Sequence, residues 1–194
     1  MKKIILICGP KHSGKSLTAR ALQKILGCEA TDLDDVVENQ TGKTPRKLFR
    51  EGREKFKKAE ARALASLLMQ NETAECTEPD LSLRHNGLKI IAAGGGLVDN
   101  NEALTLLSSI REMVIVYLDI SAETAWQRIV HTAGDGELPP FLNTENPRET
   151  LLALHERRAG AYKALAHLTI AAESRSPEEI AKEITEFLSL PVKP

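Results

Sequence analysis

The chain has 194 residues, of which 42% are hydrophobic and 27% charged, a composition typical of a globular protein with one core. Its 26 basic and 27 acidic side chains give a net charge of -1, which argues against a general affinity for nucleic acid or an anionic membrane. Three widely spaced cysteines argue against a disulfide scaffold or a zinc site.

From these properties we expect one domain over residues 1–194, with no nucleic-acid or membrane partner. The N-terminal apolar run is too short for a signal peptide, and no stretch approaches the roughly 18 apolar residues that span a bilayer. The cysteine usage suits a reducing compartment, so we expect a cytoplasmic protein, and we expect it to be a monomer.

The first predicted elements are a strand, a loop and a helix. Residues 3–8 form an apolar run that predicts a buried strand, and residues 16–26 place apolar side chains at helical spacing. Between them, residues 9–16 read Gly-Pro-Lys-His-Ser-Gly-Lys-Ser and fit the G-x-x-x-x-G-K-[ST] phosphate loop. A chance Gly-Lys-Ser turn is the alternative, and the flanking strand and helix disfavour it.

The chemistry of such a loop predicts a nucleotide site. Its backbone N–H groups converge on anionic oxygens at the N-terminus of the helix, where the helix dipole adds positive potential. Lys15 would reach the terminal phosphates, and the hydroxyl of Ser16 would ligate Mg2+. We therefore expect nucleotide contacts from Gly9, Pro10, Lys11, His12, Ser13, Gly14, Lys15, Ser16 and Leu17.

An acidic pair follows next. Residues 28–30 form a short segment that predicts a second strand, and Asp32 and Asp34 come directly after it, where α/β proteins bind ligands. One carboxylate could hold a Mg2+-bound water while the other orients a hydroxyl that attacks a γ-phosphate or accepts its proton. Alternatively, Asp32 caps a helix that begins near Leu33, and Asp34 is one of its first-turn acids. The two interpretations are compatible.

Residues 45–70 predict helix with a break near Gly52, and residues 43–58 are rich in cations. Intervening acids favour a solvated helix face over a nucleic-acid patch, although one or two cations could hold an anionic substrate.

The remaining elements alternate, so the chain predicts a three-layer α/β fold. The predicted strands are residues 88–93, 113–118 and 168–171, and the predicted helices are residues 101–109, 122–131, 147–167 and 177–188.

Gly94, Gly95 and Gly96 follow one strand directly, and they serve either a close approach to a ligand or a packed turn. Residues 71–87 and 132–146 lack periodicity; the second is either a hinged lid or a plain surface loop.

Together these segments resemble the shikimate kinase family of P-loop small-molecule kinases over nearly the whole chain. The matching segments, in chain order, are the phosphate loop, Asp32 and Asp34 with Glu38, the set Phe49, Gly52, Phe56 and Glu60, the stretch Ala93 to Gly96, and Arg158 with Tyr162. Arg128 and the turn of Arg175, Ser176 and Pro177 resemble adenine-contacting positions of the family.

The resemblance implies a three-layer α/β/α kinase with a five-stranded parallel sheet, acceptor-binding helices within about residues 33–70 and a lid over about residues 132–147. It implies transfer of the γ-phosphoryl group of Mg·ATP to a small hydroxylated carboxylic acid, with shikimate the first choice. By resemblance, Lys15 and Asp34 act in catalysis, Ser16 and Asp32 position Mg2+, and the acceptor is held by Asp34, Lys57, Gly94, Gly95, Gly96 and Arg158.

Three departures from the family pattern stand out. Lys57 replaces an arginine, His12 replaces a glycine, and the lid reads Leu-Pro-Pro-Phe-Leu at residues 138–142 where the family carries an arginine. No arginine or lysine occurs between Arg128 and Arg148. His131 could replace the lid cation or be a solvated residue at a helix end.

These departures leave two alternatives to a shikimate kinase. One is a kinase of the same fold for another polyol or sugar acid, and the other is a catalytically weak nucleotide-binding relative. Arg158 could likewise be a surface cation beside Arg157 on its helix rather than a contact to the acceptor.

Overall fold

The computed structural model describes residues 4–69, 87–134 and 136–189. The described residues form one sheet of five parallel strands in the spatial order β2-β3-β1-β4-β5. The strands are β1 Ile4–Cys8, β2 Glu29–Asp32, β3 Lys89–Ala92, β4 Met113–Asp119 and β5 Leu168–Ala171. Every residue of β1 is buried, because a central parallel strand is covered on both faces.

Helices connect the strands and cover both faces of the sheet. They are α1 Lys15–Leu26, α2 Leu33–Thr41, α3 Pro45–Glu51, α4 Arg53–Met69, α5 Asn101–Ser109, α6 Ala122–Ala133, α7 Pro147–Leu165 and α8 Pro177–Phe187. Two 3₁₀ helices, Leu97–Asp99 and Pro140–Leu142, lie in the connections after β3 and α6. Among the described helices, none combines the length and apolar character that crossing a membrane requires.

The core has two halves, one on each face of the sheet. Ile5 and Ile7 of β1 pack with Leu22 of α1 and Ile184 of α8 in one buried cluster. Leu6 points to the other face and joins a second cluster with residues of α2, α4 and α5. This alternation along β1 produces the three layers, so the predicted α/β/α fold with a five-stranded parallel sheet is confirmed.

Local sequence explains where several helices start and stop. Thr44 caps α3 ahead of Pro45, and Ser176 with Glu179 forms a capping box at the start of α8. Gly52 separates α3 from α4 at φ 153°, which confirms the predicted break.

Of the two predicted loops, one lies largely outside the described residues and the other differs from the structure at its start. Residues 70–86 lie outside the described residues, so the prediction of a loop over residues 71–87 stays a prediction. The predicted loop at 132–146 was too long at its start, because α6 continues to Ala133 and Gly134 ends it. The segment also contains the 3₁₀ helix Pro140–Leu142, whose Leu142 is buried in the core.

The strand order brings the functional segments together. Because all strands are parallel, the carboxyl ends of β1, β2 and β3 lie at one edge of the sheet. The loop after β1, the acidic pair after β2 and the glycine triplet after β3 therefore open into one cleft of about 1590 Å3.

Candidate active site

The loop between β1 and α1 has the backbone of a phosphate cradle. Gly9 has φ 145°, and a Cβ there would lie 2.7 Å from the carbonyl oxygen of Leu118, so only glycine fits. Gly14 has φ 97° and precedes the first residue of α1. Residues 11–17 line the cleft, whereas Gly9 and Pro10 are buried behind it, so these two predicted nucleotide residues shape the loop from within.

His12 adopts the conformation of a glycine, with φ 61°. Its carbonyl oxygen accepts a hydrogen bond of 3.0 Å from Arg128 Nη1, which fixes the peptide in that orientation. Burial lowers the pKa of His12 to about 4, and the cations Lys11, Lys15 and Arg128 add to the effect. The imidazole is therefore neutral at neutral pH and adds no charge to the loop.

Lys15 lies at the base of the loop, where its ammonium donates to the carbonyl oxygen of Pro10 at 2.7 Å. Burial lowers the pKa of Lys15 to about 8; Asp34 opposes this shift and Lys11 reinforces it. The ammonium is thus poorly compensated within the protein. An anionic phosphate beside it would supply the missing negative charge.

Asp32 caps α2, as one of the two interpretations of the sequence requires, and it also contacts Ser16, so a metal role for the acidic pair stays a prediction. Asp32 Oδ1 accepts the backbone N–H of Asp34 at 3.0 Å and so caps α2, while Oδ2 accepts the hydroxyl of Ser16 at 2.5 Å. These oxygens form the hard donor set that Mg2+ prefers. Burial raises the pKa of Asp34, and the neighbouring Asp32 raises it further, which brings this carboxylate closer to the range of a general base.

The glycine triplet lies opposite the phosphate loop. A Cβ on Gly95 would lie 3.1 Å from the backbone nitrogen of Lys11, and one on Gly94 would lie 2.6 Å from Glu60 Oε1. Side chains at these positions would fill the space between the loop and the acidic residues. The absence of side chains at Gly94 and Gly95 thus allows the triplet to pack closely against the phosphate loop and Glu60, and its contact with a ligand stays a prediction.

Glu60 of α4 is a buried carboxylate that the site prediction did not include. Its Oε2 accepts from Asn100 Nδ2 at 2.9 Å, and its Oε1 has no hydrogen-bond partner among the described residues. Burial raises the pKa of Glu60 to about 7, against the opposing effects of Asn100 and Arg158. Around neutral pH, this carboxyl group is therefore partly protonated.

Arg158 of α7 points into the cleft and is already engaged. Its Nε and Nη2 donate to Asp99 Oδ2 at 2.9 and 2.6 Å, and its Nη1 donates to the carbonyl oxygen of Gly95 at 2.9 Å. Tyr162, one helical turn further, donates to the same carbonyl at 2.7 Å. The surface alternative for Arg158 is wrong, since the side chain is 19% exposed and lines the cleft.

Lys57 also lines the cleft, but its ammonium pairs with Glu54 at 3.2 Å on the same helix. Among the described residues, Glu60 therefore has no ion-pair partner. The sequence does not reveal this choice, because Glu54 and Glu60 both lie within reach of Lys57 on one helix.

The segment predicted to be a lid contacts the helix α3. Arg46 Nη2 donates to the carbonyl oxygen of Glu137 at 2.5 Å and to that of Leu138, and Arg50 pairs with the Glu137 carboxylate. The cations at this contact thus belong to α3 rather than to the lid. His131 is exposed at the end of α6 and lines the cleft, so its role stays a prediction.

At the far end of the cleft lie the residues predicted to contact adenine. Arg128 bridges the carbonyl oxygens of His12 and Glu173, at 3.0 and 2.7 Å. Arg175 pairs with Glu183, and Pro177 begins α8. All three predicted residues line the cleft, where their contact with a nucleotide stays a prediction.

Comparison with known proteins decides the family. A family model described as Shikimate kinase matches residues 11–77 and 80–189. This chain belongs to the shikimate kinase family. The resemblance predicted from the sequence is confirmed, and the match includes most of the phosphate loop and every later segment of the cleft.

Individual shikimate kinases match over nearly the whole chain. That of Marinomonas sp. (strain MWYL1) is 30% identical over 190 residues, 97% of this chain and 93% of the relative. That of Vibrio parahaemolyticus is 32% identical over 188 residues, 96% of each protein. Shikimate kinase from Acinetobacter baumannii, solved in complex with shikimate, has a TM-score of 0.78 at 27% identity, covering 96% of this chain and 93% of that chain.

Proposed function

We propose that this shikimate kinase family member transfers the γ-phosphoryl group of ATP to a ring hydroxyl of shikimate. The observation that carries the proposal is that Lys15, the Ser16–Asp32 pair, Asp34 and Arg158 all face one cleft. Phosphoryl transfer requires mainly charge stabilisation and positioning, which such a set supplies.

Each of these residues has a chemically defined part in the reaction. Asp34 accepts the proton of the acceptor hydroxyl while the hydroxyl oxygen forms a bond to the γ-phosphorus of ATP. The bond from that phosphorus to the bridging oxygen of ATP breaks, and ADP leaves with the electron pair. Lys15 and the loop N–H groups stabilise the charge on the transferring group, and Arg158 pairs with the carboxylate of the acceptor.

Ser16 and Asp32 would hold Mg2+, since their oxygens are hard donors that already lie together. Bound Mg2+ would neutralise phosphate charge. Such a reaction places the protein in the biosynthesis of aromatic amino acids, and we propose the cytoplasm as its location.

The test is ADP release from Mg·ATP with and without shikimate, with the product followed by phosphorus NMR. We expect shikimate-dependent release in the wild type and a loss of at least about 100-fold in Lys15→Met, because charge stabilisation of the transferring group is removed. The variant should still fold, since burial already disfavours the Lys15 charge.

Three outcomes distinguish the alternatives. Shikimate-dependent release that disappears in Lys15→Met supports the proposal. Release only with another hydroxylated acid would identify a kinase of the same fold with a different acceptor. ATP binding without release for any acceptor would contradict the proposal and identify a nucleotide-binding relative.

A further inference from the structure

Asp99 holds a position that an acceptor carboxylate would need. It ends the 3₁₀ helix Leu97–Asp99, directly after the glycine triplet, and its side chain is 21% exposed. Its Oδ2 accepts from Nε and Nη2 of Arg158 and from Nη2 of Arg157. Oδ2 of Asp99 thus occupies the Nε–Nη2 edge of the Arg158 guanidinium. This is an edge to which a carboxylate can bind side-on through two parallel hydrogen bonds.

Lys57, the other cation that the resemblance assigns to the acceptor, lines the same cleft but is already paired. The ammonium of Lys57 pairs with Glu54, and a lysine cannot offer the planar fork of an arginine. The carboxyl groups of Asp34 and Glu60 border the same glycine triplet and repel an anion when charged.

Asp99 remains charged across the neutral range. Its partial burial raises its pKa, but the hydrogen bonds and charges of Arg158 and Arg157 outweigh this effect and lower the pKa overall. Asp99 is therefore a carboxylate at the pH at which an acceptor carboxylate would bind.

Asp99 also pairs with a second cation, Arg157, and this pair can persist when Asp99 separates from Arg158. Arg157 donates to it at 2.9 Å and is 62% exposed, so it can follow the carboxylate outward. The backbone around Asp99 is fixed, with its N–H donating to Gly96 and the next residue, Asn100, capping α5. Rotation of the side chain is then sufficient to free Arg158.

We propose that Asp99 is a specificity-determining residue that competes with the acceptor carboxylate for Arg158, an inference that rests on the proposed function. Acceptor binding replaces Asp99 on the Arg158 guanidinium, and Arg157 retains Asp99 during the exchange. The affinity of the site for a carboxylated acceptor is lowered by this competition.

The sign of one mutational effect tests the inference. Asp99→Asn, which keeps the shape, and Asp99→Ala should each lower the KM for shikimate, by about tenfold for alanine, because a charge-assisted competitor is removed. The KM for the uncharged methyl ester of shikimate should change little. Glu123→Gln is the matched control, since it removes a carboxylate that pairs with Arg148 outside the cleft.

If Asp99 instead only positions Arg158, both variants will raise the KM for shikimate, and that result, or an unchanged KM, overturns the inference. Arg157→Ala should raise the KM in the wild type and have no effect in the Asp99→Asn background. A persistent effect there would mean that Arg157 contacts the acceptor itself, without Asp99.

Calorimetric titration with shikimate in the absence of ATP separates this inference from the proposed function. Tighter binding to the Asp99 variants supports the inference even where turnover is slow. Turnover in the wild type with unaltered binding in the variants overturns the role of Asp99 alone. No binding and no turnover in any of the proteins contradicts both proposals.

Discussion

The hydroxyl of Ser16 lies 2.5 Å from Asp32 Oδ2, although the two residues belong to different crossover units of the sheet. Ser16 is the last residue of the phosphate loop after β1, and Asp32 ends β2, which β3 separates from β1. The other oxygen of Asp32 caps α2, so one carboxylate fixes a helix and presents a charge to the phosphate site.

This double role makes the effect of Asp32→Asn predictable. Asparagine is as good an N-cap as aspartate, so α2 should remain folded, but the charge facing Ser16 is lost. We expect the Mg2+ concentration for half-maximal activity to rise by at least about tenfold. Activity measured against Mg2+ concentration checks this, with Asp35→Asn, an exposed acid of the same first turn, as the control. An unchanged Mg2+ requirement would contradict a metal role for Asp32.

The buried carboxyl group of Glu60 predicts a pH-dependent stability. Its pKa is about 7 in the folded protein against an ordinary 4.5, so the folded state binds more protons between these values. Stability is then lost as the pH rises through this window, by about 3 kcal/mol from this group. Glu60→Gln should not show that part of the loss.

Urea unfolding of the wild type and of Glu60→Gln at pH 5 and pH 8 measures this difference. The exposed Glu54 on the same helix provides the control, Glu54→Gln. Parallel pH profiles for wild type and Glu60→Gln would show that the buried carboxyl group does not cause the dependence.

The left-handed backbone at His12 predicts different effects on stability for two substitutions. Glycine relieves the strain of φ 61°, but it also raises the entropy of the unfolded chain, so His12→Gly should change the stability by less than about 1 kcal/mol. His12→Val should destabilise by about 1–2 kcal/mol, because a β-branched residue rarely adopts positive φ. Thermal denaturation of both variants decides this, and equal stabilities would argue against strain at this position.

If the segment that Arg46 contacts is the predicted lid, these hydrogen bonds should affect the exclusion of water. Arg46→Ala removes the donor to the carbonyl oxygens of Glu137 and Leu138, so the lid should open more often. We expect acceptor-independent ADP release to rise by about threefold or more relative to phosphoryl transfer, because a closed lid excludes water. Lys47→Ala, exposed on the same helix, is the control. An unaltered ratio of acceptor-independent ADP release to phosphoryl transfer would show that this contact does not control lid closure.

The sequence by itself determined the features that local chemistry dictates. The phosphate loop, its strand and its helix are contiguous, and the apolar runs of β1, β3 and β4 are long enough to mark a buried parallel sheet. The break at Gly52 was also visible, since a glycine between two helical patterns is a local signal.

Only the tertiary structure decided which charges meet. Residues such as Arg157 and Arg158 are neighbours on one helix, so spacing alone cannot show that the second enters the cleft and both bind Asp99. Spacing alone likewise cannot show that Lys57 pairs with Glu54 rather than with Glu60. Long charged side chains reach several partners of similar energy, and the packing of helices from distant parts of the chain selects among them.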